Sequence, residues 1–405
     1  MFSLQIRKTP LLIAICLVPF FVNAVGYKWP YLGLIIQYSR YSIFISVALI
    51  IFLNRGSVNR IFKMRPVYMI ALCLFLFYLS AVINKGSISS VSQLAMYALF
   101  PFMLFSVVPQ RENIFSILSC GVAYAIDFLV VTNLFIIIFY PEGIYQTFSS
   151  DTISKYYLFG TKNQMVAPVM LGLFFSVECA FQRRGRITVP AVIMCSISAY
   201  ELYIGGSSTG LIILFAFIIL VLLQSSDRVP NPSVTLIALA IFAFGIVVVR
   251  VQDFFSFIIV GILHKSLTLS DRVYIWDAAL DAIKNNPILG TGITESLSGN
   301  VHLQLDYLEK DIFAHDIYLD IMLMGGIPSL VIFILLLLCL KRDYEIITQN
   351  NRVTLIWCGI LVYLFASIVD IYTTNYVLYI MMAYISRLSI YEQSEHRLIQ
   401  EGGER

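Results

Sequence analysis

The chain has 405 residues, of which 59% are hydrophobic and 13% are charged, and its mean hydropathy is +0.84. A soluble domain is about 25% charged, and a water-soluble fold of this composition would leave much apolar surface outside its core. The composition therefore excludes an ordinary soluble enzyme and favours a bilayer as the solvent. The net charge of +3 says less about such a chain than the distribution of its charges.

Apolar runs long enough to cross a bilayer recur along the chain. About 20 apolar residues make one span, and backbone in lipid must satisfy its own hydrogen bonds, so these runs predict helices. We predict about twelve transmembrane helices, over residues 10–26, 30–53, 67–84, 91–108, 114–140, 161–181, 187–204, 208–223, 233–250, 316–340, 353–370 and 373–390. The sequence thus predicts an all-α polytopic membrane protein that forms a single integral membrane domain over residues 1–405.

Lysine and arginine predict the orientation of this bundle, because short cytoplasmic loops are enriched in both residues. With the N-terminus inside, the inner connections hold clusters and the short outer connections hold isolated lysines. The inner clusters include Arg55, Arg60, Lys63, Arg65, Arg183, Arg184, Arg186, Lys341, Arg342 and Arg352. Both termini are therefore predicted to be cytoplasmic, with a polar tail at 391–405. The large loop 251–315, between predicted helices nine and ten, is then outside.

Seven cysteines lie in apolar segments or at their ends. We interpret them as small buried hydrophobic residues, because their spacing indicates neither a disulfide framework nor a zinc motif. They are Cys16, Cys73, Cys120, Cys179, Cys195, Cys339 and Cys358.

The large loop contains a predicted amphipathic helix over residues 271–286. Ser270 can cap it, Asp271 suits its first turn, and Asn286-Pro287 ends it. Arg272 could bind phosphate beside the N-terminal amides of this helix. The alternative is an interfacial arginine that pairs with lipid headgroups. The apolar stripe consists of Val273, Trp276, Leu280 and Ile283.

His315 stands where the large loop re-enters the membrane, flanked by Asp311, Asp316 and Asp320. A histidine suits general-base work because its ordinary pKa is near neutrality, and the adjacent carboxylate could orient the ring and raise its basicity. The alternative is a water-facing interfacial histidine. His264 and His302 rank lower because no carboxylate adjoins them. The histidines lack the spacing of a metal site.

Four further residues could contact a ligand. Gly290 and Gly292 would allow close approach of backbone to a ligand, or they form a plain turn. Lys162 and Asn163, at the start of predicted helix six, could bind phosphate or sugar hydroxyls at a helix N-terminus. The alternative for this pair is a snorkelling lysine and a helix cap.

Arg40 and Asp127 fall near mid-depth of predicted helices two and five. Charge at this depth is costly and is usually paired or faces a cavity. The two residues could therefore pair with each other, or Arg40 could line a cavity and bind an anionic substrate group.

Three short sequence motifs occur one after another along the chain. They are Gly160-Thr161-Lys162-Asn163; Asp271-Arg272 to Trp276 with Asn286-Pro287 and Gly290-x-Gly292; and His315-Asp316 with Tyr318-Leu319 and Gly325-Gly326. In this order, and with this predicted placement on the outer side, they resemble the O-antigen ligase/polymerase superfamily of bacterial envelope glycan assembly. Its members have about a dozen membrane helices and a large external loop late in the chain.

The chain departs from the pattern of that superfamily at three places. The family usually has Gly-Arg at Asp271-Arg272 and His-Asn at His315-Asp316. Many members also have an arginine after the serine that begins helix eight, where this chain has Ser207-Ser208-Thr209. The cation that replaces this arginine could be Arg40, Lys162 or Arg250.

The resemblance implies a metal-independent glycosyltransferase of the bacterial inner membrane with a periplasmic active site and no cofactor. The implied donor is an undecaprenyl-diphosphate-linked glycan. Arg272 would stabilise the departing diphosphate, and His315 would deprotonate the acceptor hydroxyl. The expected substrate-binding residues are Arg40, Lys162, Asn163, Asp271, Trp276, Gly290, Gly292 and Asp316. Further expected partners are membrane lipids, a chain-length regulator and other envelope glycan assembly proteins, and no nucleic acid.

Three functions remain open on the sequence. The first is an O-antigen or capsular polysaccharide polymerase, which the Lys162-Asn163 start of helix six and the variant motifs favour. The second is an O-antigen ligase that transfers the glycan to lipid A core. The third is a polysaccharide flippase or other transporter, although such proteins usually show internal repeats with broken helices at mid-membrane, and no repeat is visible here.

Overall fold

The structure is a computed structural model that describes residues 8–22, 24–111, 113–149, 152–224, 231–250, 272–295, 297–305, 308–347, 354–368 and 376–403. The helices before the large loop are α1 (Lys8–Phe21), α2 (Val25–Lys28), α3 (Pro30–Leu53), α4 (Arg55–Lys63), α5 (Arg65–Ile83), α6 (Ile88–Val107), α7 (Ile114–Phe139), α8 (Val166–Arg184), α9 (Val189–Gly205), α10 (Ser208–Gln224) and α11 (Pro232–Phe244). A π-helical turn, Gly245–Val249, extends α11. The remaining helices are α12 (Arg272–Asn285), α13 (Ile317–Ile347), α14 (Thr354–Ala366) and α15 (Tyr376–Gly403).

The predicted fold class is confirmed. Seven of the described helices are long and apolar enough to cross a membrane: α3, α5, α6, α7, α8, the α11 segment Pro232–Val249 and α13. The helices α1, α9, α10 and α14 are apolar but shorter. Each predicted span coincides with one of these helices or with α15. The number of crossings and their orientation stay predictions.

The core lies around α15, which packs on α6, α13 and α14 and also contacts α7 and α8. The first half of α15 is almost wholly inaccessible: Met381, Tyr384 and Leu388 are all buried. By contrast, α3 presents most of its surface outward, as expected of a helix at the lipid boundary. The helix α15 also continues to Gly403, so the predicted tail at 391–405 is helical as far as that residue.

A disulfide joins Cys120 of α7 to Cys179 of α8, with the two Cα atoms 4.9 Å apart. The prediction that no cysteine pairs is therefore wrong. These cysteines are separated by 59 positions and meet because α7 and α8 pack along their length, which the spacing of the cysteines alone does not reveal.

The helix α13 is broken near its start, and the break shapes the loop that follows α12. Gly325 and Gly326 have non-helical backbone angles. The carbonyl of Leu323 consequently accepts the N–H of Thr291 at 2.7 Å, and Pro287 accepts the N–H of Ile327 at 2.8 Å. A side chain at Gly326 would collide with the carbonyl of Ile288. The loop after α12 is thus held directly on the kink of α13.

The predicted amphipathic helix is present as α12, and it packs on α13 and on strand β3 (Asn300–Leu305). Its buried face differs from the predicted stripe, because contact on two sides rotates the buried surface. Trp276 and Ile283 are buried as predicted, together with Ile275 and Ala279, whereas Val273 and Leu280 are only half-buried.

Two antiparallel hairpins lie in the loops. The first pairs β1 (Tyr145–Ser149) with β2 (Thr152–Tyr156), and the second pairs β3 with β4 (Leu308–Phe313). The sequence analysis predicted neither hairpin. The register of the second places His302 opposite Asp311 along the backbone.

Candidate active site

The structure brings together the two residues that the sequence assigned to catalysis. Arg272 begins α12, and His315 lies in the turn between β4 and α13. Burial, and secondly the positive charge of Arg272, lower the pKa of His315 to about 4. The two side chains are therefore near enough to interact electrostatically, although 43 positions separate them in the sequence.

His315 has an unusual backbone conformation. Its φ of 53° lies in the left-handed region, one of four such values at non-glycine residues in the described part of the chain. Histidine tolerates this region better than most residues, and such backbone strain concentrates at functional sites. The ring is half-buried, and its Nδ1 has no hydrogen-bond partner among the described residues. Because the pKa of His315 is lowered, the imidazole is neutral at neutral pH and able to accept a proton.

Asp316 caps α13 rather than orienting the imidazole. Its Oδ1 accepts the backbone N–H groups of Tyr318 and Leu319, each at 2.8 Å, which is the geometry of a helix N-cap. The expectation that Asp316 raises the basicity of His315 is therefore wrong, because the pKa of His315 is lowered and its Nδ1 has no described partner. The other oxygen, Oδ2, is buried and also lacks a partner among the described residues.

Several buried polar atoms of the segment from α12 to the start of α13 lack a hydrogen-bond partner among the described residues. Five buried side-chain atoms without a hydrogen-bond partner in the described residues lie between positions 276 and 318: Nε1 of Trp276, Oγ of Ser298, Nδ1 of His315, Oδ2 of Asp316 and Oη of Tyr318. Such groups are rare in folded proteins and call for an explanation. A polar ligand that enters the turn between β4 and α13 would satisfy several of them.

An apolar groove of about 420 Å³ leads away from the turn at His315. It runs between α13 and the α11 segment with its π-helical turn, and Leu280 of α12 closes one side. Asp316 and Tyr318 are its polar lining residues, and the others are aliphatic or aromatic, apart from Met322. The groove therefore suits a long hydrocarbon chain whose polar end lies beside His315.

Residues 191–334 match the family model described as O-antigen ligase. This match supports the O-antigen ligase/polymerase superfamily for the segment. The segment runs from α9 into α13 and includes Arg272, His315 and Asp316. No match was found among curated proteins, and none among solved structures. The match supports a multi-pass membrane protein that acts as a glycosyltransferase-like enzyme of the O-antigen ligase or polymerase type.

Arg250 is a second cation beside α12 within the superfamily segment. It ends the π-helical turn, has a left-handed φ of 57°, and forms an ion pair with Asp277 of α12. Of the three cations considered as replacements for the family arginine, Arg250 is the one with a described contact to the helix that carries Arg272.

Lys162 and Asn163 lie before the superfamily segment, on the other side of α8. They were expected at the N-terminus of helix six, but they form a turn, and α8 begins later, at Val166. Lys162 is exposed, and the side-chain oxygen of Asn163 accepts the hydroxyl of Ser207 at 3.4 Å. The pair thus lies beside the turn between α9 and α10, and its binding role stays a prediction.

Arg40 lies outside the superfamily segment and lines a separate cavity of about 500 Å³ between α3 and α6. It donates to the backbone carbonyls of Pro19 and Val22, each at 2.8 Å. Asp127 instead accepts the hydroxyl of Ser176 at 2.5 Å. The suggested Arg40–Asp127 pair is therefore wrong, and the described hydrogen bonds of Arg40 satisfy carbonyls at the end of α1.

Three of the remaining expected binding residues, Trp276, Gly290 and Gly292, lie on α12 or in the loop that follows it. A side chain at Gly290 would collide with backbone carbonyls of α13, so Gly290 faces backbone rather than open space. Gly292 lies against Asn84, which follows the end of α5. Trp276 is buried at 1% exposure. Asp271 falls outside the described residues. A ligand role for these four residues stays a prediction.

Sequence analysis missed two residues with a buried side-chain oxygen that lacks a described hydrogen-bond partner, Ser298 and Tyr318. Tyr318 formed part of the family-like patch, but no spacing rule indicated that its hydroxyl would be buried beside Asp316. Ser298 lies in a loop rich in serine and glycine, where nothing distinguishes it from its neighbours.

Proposed function

We propose that the protein is a polysaccharide polymerase that transfers a glycan from undecaprenyl diphosphate to a sugar hydroxyl at the periplasmic face of the bacterial inner membrane. The observation that carries this proposal is the electrostatic interaction between Arg272 and His315, whose sequence neighbour Asp316 lines one end of an apolar groove. A cation, a neutral base and a lipid-sized groove are the parts that this reaction requires.

The two side chains have complementary tasks in the transfer. The acceptor hydroxyl attacks the anomeric carbon of the donor sugar, and His315 takes the proton of that hydroxyl. The bond from this carbon to the diphosphate breaks, and Arg272 stabilises the negative charge that develops on the leaving group. The donor supplies the bond energy. The bound diphosphate would also offset the effect of Arg272 on His315 and strengthen the base.

The groove between α11 and α13 would receive the polyprenyl tail. Its apolar lining keeps the tail out of water, and burial of apolar surface stabilises it by about 25 cal/mol for each Å². Arg250 would supply a second positive charge near the diphosphate. Arg40, Lys162 and Asn163 would contact the glycan or its acceptor at a greater distance from the reacting bond.

Product length tests this proposal. Purified protein in detergent is given undecaprenyl-diphosphate-linked repeat units, and the products are separated by size. A polymerase yields chains of increasing length. A transporter cannot form glycosidic bonds, so unchanged repeat units from active wild-type preparations would reject the polymerase and leave transport as the alternative.

The description of the matching family favours a second candidate, an O-antigen ligase. A ligase would use the same donor and the same two side chains but would transfer the glycan to lipid A core. Deletion of the gene separates the two functions. Loss of a polymerase leaves single repeat units on lipid A core, whereas loss of a ligase leaves none.

A further inference from the structure

The carboxyl group of Asp316 has two oxygens in different situations. Oδ1 caps α13 through the N–H groups of Tyr318 and Leu319, whereas Oδ2 is buried without a partner among the described residues. The whole residue is 1% exposed. A helix cap needs one acceptor oxygen, so capping accounts for Oδ1 and leaves Oδ2 unexplained.

Tyr318 stands in the same situation two positions later. Its hydroxyl is buried and has no partner in the described part of the chain. Asp316 and Tyr318 both line the apolar groove, at the end where α13 begins. Two unsatisfied polar groups at the head of an otherwise apolar groove indicate a ligand with a hydrocarbon tail and a polar head.

We propose that the neutral carboxylic acid of Asp316 and the hydroxyl of Tyr318 donate hydrogen bonds to a phosphate oxygen of the lipid diphosphate whose tail fills this groove. The inference rests on the proposed function for the identity of the lipid. It makes Asp316 a binding residue with two simultaneous tasks, one on α13 and one on the ligand.

The charge of the ligand requires the acid to be neutral. Phosphate oxygens of a diphosphate accept hydrogen bonds, and an ionised carboxylate in the same place would repel them. Burial raises the pKa of Asp316 to about 7, against the opposing effect of its backbone hydrogen bonds. The neutral form is therefore populated near neutral pH and is lost as the pH rises above about 7.

Other groups nearby could in principle produce a pH dependence. They are His315, Tyr318 and Asp320 in the same segment, Arg272 and Asp277 on α12, and Arg250 at the end of the π-helical turn. The pKa of His315 lies well below neutrality, Asp277 is ion-paired with Arg250, and Oδ1 of Asp320 accepts the N–H of Gly299. Substitution of Asp316 alone separates its effect from theirs.

Binding of undecaprenyl diphosphate to the full-length protein in detergent tests the inference, with undecaprenol as the tail-only control. Wild-type affinity for the diphosphate should fall by up to about tenfold for each pH unit above 7. Asp316→Asn should bind tightly at every pH, because an amide keeps the capping oxygen and places a neutral donor at Oδ2. Asp316→Ser should cap the helix but bind weakly throughout. Tyr318→Phe should also bind more weakly than wild type.

Equal affinity of the wild type, Asp316→Asn and Asp316→Ser would show that Asp316 only caps α13 and would overturn the inference. Absence of binding by the wild type, or wild-type binding that does not change with pH, would overturn it as well. Failure of the proposed function gives a different result: binding behaves as stated, but no glycosidic bond forms.

Discussion

The guanidinium of Arg272 acts on the imidazole of His315 across 43 positions of sequence. The first residue begins α12 and the second precedes α13, and these two helices pack together. A cation for a leaving diphosphate and a neutral base for an incoming hydroxyl therefore occupy one site.

Loss of the guanidinium should impair glycan transfer strongly. We expect Arg272→Ala to lower the rate by about 10²–10³-fold, as removal of one preorganised charge donor does in other enzymes. Arg272→Lys should also lower the rate of glycan transfer strongly, because lysine lacks the bidentate geometry that arginine offers to phosphate. The rate of transfer by purified protein measures both variants.

Lys284→Ala is the matched control for Arg272. Lys284 lies at the other end of α12, is 82% exposed, and forms an exposed ion pair with Asp281. It should retain the wild-type rate. Wild-type polymer from Arg272→Ala, at normal protein level in the membrane, would refute the role of Arg272 on the diphosphate.

Removal of the general base should slow glycan transfer without lowering the amount of protein in the membrane. We expect His315→Ala to lower the rate by about 10²–10⁴-fold, the usual contribution of a positioned general base. The exposed His302 on β3 provides the control, and His302→Ala should be active. If His315→Ala lowered only the amount of protein in the membrane, with a normal rate per molecule, His315 would be structural.

The pH profile should report the interaction between the two residues. His315 accepts a proton only in its neutral form, so activity is lost as the pH falls through its pKa, which is lowered to about 4. Arg272→Gln removes one cause of this lowering and leaves burial, the larger cause. The acidic limb of kcat/KM, measured on residual activity, should therefore move to higher pH. An unchanged limb would mean that the two side chains do not interact.

A bulky side chain in the groove should weaken binding of the lipid-linked donor by excluding its tail. Ala243→Phe places a large ring in the groove and should raise KM for undecaprenyl-linked donor much more than for a donor with a short prenyl tail. Val234 lies on α11 with 61% exposure and does not line the groove, so Val234→Phe is the matched control. Equal effects on both donors would place the tail elsewhere.

The sequence predicted the membrane scaffold well because long apolar runs have one physical outcome in lipid, a helix. It also predicted α12, where Trp276 and Ile283 of the predicted apolar stripe are buried. The two hairpins escaped prediction because their strands are only five or six residues long, although β3 alternates polar and apolar residues. The disulfide escaped because Cys120 and Cys179 meet through the packing of α7 and α8, a tertiary relationship.

For the candidate site, residue type indicated Arg272 and His315, but the sequence did not show whether they meet. Besides substrate binding, it assigned Asp316 the task of orienting the histidine, and this second task was wrong because it rested on adjacency in sequence. The left-handed backbone of His315 and the start of α13 instead direct Oδ1 of Asp316 to backbone N–H groups. The groove, made by α11 and α13 from distant segments, has no signature in the sequence.

The most direct test counts two products of one reaction. Purified wild-type protein is given an undecaprenyl-diphosphate-linked repeat unit, and new glycosidic bonds and released undecaprenyl diphosphate are quantified together, alongside Arg272→Ala and His315→Ala. We predict that the wild type releases one lipid diphosphate for each bond formed and that both variants lose the two products in parallel. Bond formation at the wild-type rate in both variants, or no bond formation by the wild type, would contradict the account.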